Sequence, residues 1–368
     1  MKLEKLRELA LLFLRLGATV FGGPAAHIAV MEEEVVRRRR WLERQEFLDL
    51  LGVTNLLPGP NSTEMAIHIG YRRAGLAGLA VAGASFILPA ALFVLAIAWA
   101  YVRYRSLPEL GAILSGVKPV VVAVVLQALA GLARTGIPTK RLFLVAVLAL
   151  AANALGLGEI STLLAAGLLS AATSSALRGW AFALPLLAPA GAAALSTGAI
   201  FVFFLKVGSV LYGSGYVLLA FLQSDLVERY RWLTESELLD AVAVAQMTPG
   251  PVFTVATFIG YLLNGVPGAL AATAGIFLPA FFFVAVSGPL VSRIRRSKTL
   301  SAFLDGVIAA SLALMAVVAF DLARGALVNS WSWLILLASA VALLRFRVSS
   351  SWCLLGGGLI GLLGRALG

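Results

Sequence analysis

Two basic residues stand inside apolar stretches where charge is costly. Lys206 lies in the middle of Gly198–Gly215, a run with no other charge, and Arg15 lies well inside an apolar stretch near the N-terminus. An ionised group at mid-depth in a bilayer costs about 3 kcal/mol or more even on lenient insertion scales. A cation kept there at that cost is suited to holding an anion: arginine grips oxyanions bidentately, lysine as a point charge. The bland alternative is that both side chains snorkel to the interface, which is easier for Arg15 than for Lys206.

A second pair of features is backbone chemistry. Pro58-Gly59-Pro60 and Pro249-Gly250-Pro251 each interrupt an apolar segment, at 47–70 and 238–262. Proline removes a donor and clashes with the preceding turn, so no continuous helix passes through. A half-helix that restarts at such a break aims free N–H groups and a positive dipole end at whatever lies beyond, which is an anion site without a side-chain charge. The first break is followed by Asn61-Ser62-Thr63-Glu64, where Asn61 or Ser62 could cap the new helix. The second is followed by Val252-Phe253-Thr254. Prolines that merely kink packed helices are the alternative. Broken helices at corresponding places in two halves favour a transport site.

Other candidates cluster around these. Asn55 and Gln246 precede the breaks at equivalent positions, and Thr248 adjoins the second. Their polar groups can donate to an oxyanion or simply bond a neighbouring helix. Gly22, Gly23, Gly213 and Gly215 follow the two cations and either unwind their helices or let others approach closely. Glu64 and His68 occur only in the first copy. Glu64 could carry a coupling proton or pair with Arg15. Glu46, Asp49, Glu237 and Asp240 flank the broken segments and read as helix caps and partners of nearby arginines.

The equivalences above are exact in register. Leu14-Arg15-Leu16-Gly17 matches Leu205-Lys206-Val207-Gly208, Trp41-Leu42 matches Trp232-Leu233, and the two Pro-Gly-Pro triplets match, all at an offset of 191 residues. After one deletion the offset is 190, which aligns Ile69-Gly70-Tyr71 with Ile259-Gly260-Tyr261 and Leu88-Pro89-Ala90 with Leu278-Pro279-Ala280. The chain is an internal duplication, the usual basis of secondary transporter folds. Two repeats are expected at 1–178 and 197–368, joined by a linker at 179–196 that does not cross the membrane.

Composition sets the environment. Of 368 residues 60% are hydrophobic and 13% charged, against about 25% charged in soluble domains, and the mean hydropathy is +0.95. The net charge of +11 resides in short loops between apolar runs, as in membrane proteins, so nucleic acid is not an expected partner. The single Cys353 excludes an intrachain disulfide, and two histidines are too few for an imidazole metal site. Charges at Glu4, Glu8 and Arg15 argue against a cleaved leader.

Apolar runs place spanning helices near 8–30, 75–102, 110–133, 141–157 and 159–177, then near 197–222, 266–291, 303–323, 329–345 and 350–367. The two broken segments are expected to be re-entrant hairpins, since half-helices of about ten residues reach only about 15 Å. Five crossings per half would invert the second half. Inversion puts 17 basic loop residues on the side of Arg37–Arg40 and 9 on the other, a steeper split than a parallel arrangement gives, and makes the richer side cytoplasmic. The expected class is an all-α integral membrane protein of two inverted homologous halves, with about five spans and one broken hairpin each.

These motifs resemble the chromate ion transporter family in its long, two-domain form. The resemblance is carried by Phe21-Gly22-Gly23-Pro24, by Pro58-Gly59-Pro60 after Thr54-Asn55, and by Pro249-Gly250-Pro251 after Gln246-Met247-Thr248. One departure is Tyr212-Gly213-Ser214-Gly215 in place of the first motif in the second copy. The resemblance implies chromate efflux across the bacterial cytoplasmic membrane and chromate resistance, with sulfate as a look-alike substrate. Sulfate or other oxyanion import or exchange, and an anion channel, stay open. The expected contacts of the anion are Arg15, Lys206, Gly22, Gly23, Asn55, Pro58, Gly59, Pro60, Asn61, Ser62, Thr63, Gln246, Thr248, Pro249, Gly250, Pro251 and Thr254. Membrane lipid and a second copy of the chain are further expected partners. No cofactor, metal or enzymatic activity is expected.

Overall fold

A computed structural model describes residues 2–21, 23–54, 57–173, 195–211, 217–287 and 298–367. Among the described residues the chain is almost wholly helical. The first half comprises α1 (Lys2–Thr19), α2 (Gly23–Glu32), a π-helical turn (Glu33–Arg38), α3 (Arg44–Thr54), α4 (Asn61–Tyr104), α5 (Pro108–Gly136), α6 (Lys140–Ala154) and α7 (Glu159–Thr173). The second comprises α8 (Thr197–Val210), α9 (Leu218–Phe221), a π-helical turn (Leu222–Arg229), α10 (Glu235–Met247), a 3-10 turn (Val252–Thr254), α11 (Val255–Ser287), α12 (Lys298–Ala326), α13 (Ser330–Leu344) and α14 (Ser350–Leu367). The linker expected at 179–196 falls almost entirely outside the described residues.

The expected single helices at 8–30 and 197–222 are corrected: both are broken. The first stops at Thr19 and restarts at Gly23, whose φ is +77°. Pro24 has no N–H to give a helix coming from before it. The second stops at Val210, four residues past Lys206. Leu16 and Val207 carbonyls accept the last helical bonds, from Val20 and Leu211.

α4 and α11 are each folded back on themselves. Gly75 has φ +64° and ψ −150°, and Gly265 has φ +56° and ψ −148°, a region open in practice only to glycine. The fold-back presses Gly70 onto Gly78 and Gly260 onto Gly268, too closely for any side chain between them. Each Pro-Gly-Pro is thus flanked by two short helices, α3 and residues 61–73, and α10 with residues 252–263. Phe47 and Leu50 of α3 share a buried cluster with Met65, Ala66 and Ile69 beyond the break, alongside Leu12 and Phe13 of α1.

Among the described residues four helices are long and apolar enough to cross a membrane: Asn61–Tyr104, Pro108–Arg134, Val252–Ser287 and Ser301–Ala326. Shorter apolar helices are Glu159–Thr173, Thr197–Val210 and Ser330–Leu344. The two halves pack through α4 and α11, and α5 packs on α12, α13 and α14 of the second half. Gly116 of α5 sits against the Gly357 carbonyl and Gly361 of α14, so glycine sets this close approach.

Candidate functional site

The breaks interlock. The Gly59 N–H donates to the Leu211 carbonyl at 2.7 Å, and the Gly250 N–H donates to the Val20 carbonyl at 3.0 Å. Val20 and Leu211 are equivalent residues at the ends of the broken α1 and α8, so each half lends its Pro-Gly-Pro glycine to the other half's broken helix. A helix end leaves carbonyls without intrahelical partners, and a buried orphan carbonyl costs about 1–3 kcal/mol. The exchange satisfies one in each half. His27, buried against Phe86, donates a second bond to Val20 from Nε2 at 3.1 Å.

The glycines are demanded by this crossing. Gly59 has φ +138° and Gly250 φ +90°. A Cβ on Gly250 would lie 2.6 Å from the Ala90 Cβ and 2.8 Å from the Gly17 carbonyl oxygen, and one on Gly59 would lie 2.6 Å from Glu64 Oε1. Gly17 and Gly208 bring α1 and α8 against the Phe86 and Ile276 carbonyls at equivalent points.

Beyond each break the chain turns directly into helix. Pro60 occupies the N-cap position, with no side-chain cap, so the expected capping by Asn61 or Ser62 is not made. The Pro60 carbonyl accepts from the Thr63 and Glu64 N–H groups at 2.8 and 2.9 Å. In the second half the Pro251 carbonyl accepts from the Thr254 N–H at 3.0 Å and from its hydroxyl at 2.8 Å. The Thr248 hydroxyl donates back to the Val244 carbonyl at 3.0 Å.

Ser62, Thr63, Glu64 and His68 are buried behind the first break, and Gln246, Thr248 and Thr254 around the second. Thr63 Oγ1, both Glu64 oxygens, both His68 ring nitrogens and Gln246 Nε2 have no hydrogen-bond partner. Buried polar groups are nearly always paired. These orphans adjoin the two breaks in sequence and mark them as the place for a ligand.

Arg15 and Lys206 lie elsewhere in the arrangement than the sequence suggests. Arg15 bonds Glu34 at 2.7 Å, and Lys206 bonds Asp225 at 2.9 Å. Arg15 is half-exposed, while the side chains of Glu34 and Asp225 are only 6% and 2% exposed. Glu34 and Asp225 are themselves equivalent residues, one in each π-helical turn, as are Arg38 and Arg229, which also pair with them at 3.2 and 3.5 Å. Arg39 adds a third guanidinium to Glu34 at 3.3 Å. Burial opposes ionisation of Glu34, but Arg15 and the two neighbouring arginines outweigh it and hold the carboxyl below its ordinary value. Glu64 does not pair with Arg15.

Each cation opens on a cavity. One of about 490 Å³ is lined by Arg15, Val20, Glu33, Glu34 and Arg38. One of about 770 Å³ is lined by Lys206, Phe203, Ser224, Asp225, Arg229 and Trp232. Arg15, Glu33, Glu34 and Arg38 of the first correspond in register to Lys206, Ser224, Asp225 and Arg229 of the second. The duplication therefore repeats a cation–acid–cavity unit, of which the sequence alone marks only the cation.

Of the remaining expected residues, Glu46 pairs with Arg72 and Asp49 accepts from Gln45. Glu237 closes a capping box with Thr234. Asp240 is buried, accepts from the Tyr101 hydroxyl at 2.9 Å and lies 3.3 Å from Lys118 Nζ. Both partners come from the first half. Asn55, Gly22, Gly213 and Gly215 lie outside the described residues.

Crossed, interrupted helices in two homologous halves of a multi-pass, apolar chain define a membrane transport protein. Both halves match the chromate transporter family, over residues 7–172 and 198–362. The chain belongs to that family. It is 34% identical to the chromate transport protein of Cupriavidus metallidurans, over 97% of this chain and 92% of that protein. It is 30% identical to a probable chromate transport protein of Synechococcus elongatus, over 92% and 89% of the two chains, and 34% identical to the chromate transport protein of Pseudomonas aeruginosa, over 85% and 80%. No solved structure matches it.

Proposed function

We propose that this chain exports chromate, or a sulfate-like tetrahedral oxyanion, from the cytoplasm by alternating access, and so confers chromate resistance. The observation that carries this reading is the reciprocal crossing of the two breaks, with orphan donors Thr63 and Gln246 beside it. An oxyanion supplies the acceptors that these donors lack. It would reach the crossing past Arg15 on one route and past Lys206 on the other, because each cation lies on the helix whose broken end meets the opposite Pro-Gly-Pro. The anion would compete with Glu34 or Asp225 for the cation rather than find it bare.

The halves are proposed to be inverted, with the Pro-Gly-Pro segments entering as re-entrant hairpins from opposite sides. The basic-residue asymmetry supports this. A membrane potential negative inside then assists anion export, at about 2.3 kcal/mol per charge per 100 mV.

The test is chromate accumulation in cells expressing wild type, Arg15→Gln and Lys206→Gln, with sulfate as competitor. Wild type should lower accumulation, and each folded variant should lose that ability. Accumulation unchanged by wild type would end the efflux reading, and variants as active as wild type would remove the cations from the route. Inversion is tested by single cysteines in loops 31–46 and 223–237 of a Cys353→Ser background. Labelling of both from the same face would rule it out.

A further inference from the structure

The two cavities repeat one another in register but not in charge. In the first, Arg15 and Arg38 face Glu33 and Glu34, so the lining balances. In the second, Lys206 and Arg229 face Asp225, Glu159, Glu228 and Asp321, a surplus of two carboxylates. Asp225 holds both cations, at 2.9 and 3.5 Å. The other three acids have no cation within salt-bridge distance among the described residues. Glu159 meets the Ser224 hydroxyl, and Glu228 takes only the Gln223 amide at 3.5 Å.

The surplus comes from changes at matched positions and from a wall that the first cavity lacks. Glu228 stands where the first repeat has Arg37, a reversal of charge. Tyr230 stands where it has Arg39, the third guanidinium on Glu34. Asp321 stands where it has Gly131. Glu159 reaches the second cavity from α7 of the other half, and Asp321 from α12. The first cavity is lined only by α1 with Val20, α2 and the π-helical turn. Glu235 lies beside the second wall, close to Asp321 and Glu228, and Arg324 answers its charge, so the surplus stands.

Resting on the oxyanion reading above, we propose that the two mouths are unequal: the Arg15 mouth loads the anion, and Glu228, Glu159 and Asp321 make the Lys206 mouth one of low affinity and fast release. A cleft lined by one sign of charge changes the capture of a charged ligand by about 10- to 1,000-fold. For a dianion about 10 Å from two unit charges in water, the effect on local concentration is about tenfold at low salt. The acids act on the mouth and leave the crossing itself alone. With no gradient and no potential, Vmax/KM must be equal in the two directions. A mouth of higher KM therefore also has the higher Vmax, which is what an exit needs. In the inverted arrangement the Arg15 mouth is cytoplasmic and the Lys206 mouth external, so the difference serves export.

The experiment measures initial rates of chromate uptake by the full-length chain in inside-out and right-side-out vesicles, with the potential clamped at zero. It is run at about 0.01 M and about 1 M ionic strength, where charges are felt over about 30 Å and about 3 Å. In wild type at low salt, KM from the external face should exceed KM from the cytoplasmic face by about tenfold, and high salt should shrink the difference. Glu228→Gln and Asp321→Asn should each lower the external KM by about threefold at low salt, and Glu228→Arg by about tenfold. The cytoplasmic KM should stay unchanged in all three. Glu228 is exposed, so its variants test the charge without disturbing the core. A packing defect would persist at high salt, whereas an effect of charge should vanish there. Equal KM values at the two faces in wild type, a higher cytoplasmic KM, a difference that salt leaves intact, or variants whose external KM does not move overturn the proposal and leave the transport reading standing. Wild type that carries no chromate into either kind of vesicle overturns both.

Discussion

Gly59 of the first repeat gives its backbone N–H to the Leu211 carbonyl of the second, at 2.7 Å. Leu211 ends the helix that carries Lys206, so the bond ties one half's Pro-Gly-Pro to the other half's cation-bearing helix. The equivalent bond, Gly250 to Val20, does the same in reverse. Two interrupted helices per half, which would each leave orphan backbone groups in a membrane, thereby satisfy each other. The glycine N–H groups are spent on this lock, so an anion at the crossing is left with the orphan side-chain donors.

The lock predicts a ranking among glycine substitutions. Gly250→Ala meets both an unfavourable φ of +90° and two unyielding neighbours, Ala90 Cβ and the Gly17 carbonyl. Gly59→Ala meets φ +138° but only the flexible end of Glu64 in close contact. Gly75→Ala has open space and pays for φ +64° alone. Strain of about 1–3 kcal/mol is common to all three, and overpacking adds about 1–3 kcal/mol where the neighbours cannot move. Thermal unfolding in detergent should therefore order the variants Gly250→Ala, Gly59→Ala, Gly75→Ala from least to most stable. Equal losses would mean that the crossing is looser than these contacts imply.

Glu34 should matter more than Arg15 to the fold. Removing Arg15 leaves Glu34 with Arg38 and Arg39, and the half-exposed guanidinium contributes at most about 1 kcal/mol. Removing Glu34 leaves three arginines crowded without a counter-ion. Glu34→Gln should thus lower the unfolding midpoint clearly, while Arg15→Gln barely moves it. The sign with pH follows from a folded-state value held below the ordinary 4.5. Glu34 contributes stability above that ordinary value and loses it as pH falls through the folded value. Acidification below about pH 4.5 should therefore destabilise wild type more steeply than Glu34→Gln, read as midpoint against pH.

The residues behind these predictions differ in how far the sequence disclosed them. Arg15, Lys206 and both Pro-Gly-Pro triplets stand out because charge and proline are conspicuous in apolar stretches, and the offset of 191 residues pairs them. The same offset pairs Glu34 with Asp225 and Arg38 with Arg229. That signal lies in a loop rich in charge, where Arg37–Arg40 weigh only in the count of basic loop residues. The breaks at Thr19 and Val210 were harder, since Phe21-Gly22-Gly23-Pro24 is as apolar as the helix around it. Which carbonyl meets which glycine was not legible at all. It depends on how the halves are placed against each other, and no local pattern encodes that. Asp240 shows the same limit: its partners Tyr101 and Lys118 lie in the other half, and neither has an equivalent in the second repeat.

That asymmetry gives the last prediction. Asp240 is buried, with Lys118 as its counter-ion and the Tyr101 hydroxyl as its donor, so this one acid joins α10 to α4 and α5 across the halves. Lys118 also donates to Ser236 at 2.6 Å, which fixes the ammonium beside the start of α10. Removing one member of a buried pair strands the other, at about 3–5 kcal/mol, whereas replacing both is often neutral or better. Lys118→Met should therefore be strongly destabilising, and the double variant Lys118→Met with Asp240→Asn should recover most of the loss. Tyr101→Phe removes a hydrogen bond to a charged group and should cost about 1.5–3 kcal/mol in wild type. In the double variant, where that charge is gone, it should cost about 1 kcal/mol or less. Thermal unfolding of six proteins, namely wild type, Lys118→Met, Asp240→Asn, the double variant, and Tyr101→Phe in wild type and in the double variant, closes both cycles. Additive losses for Lys118 and Asp240 would show that the pair is not coupled and adds nothing to the joining of the halves.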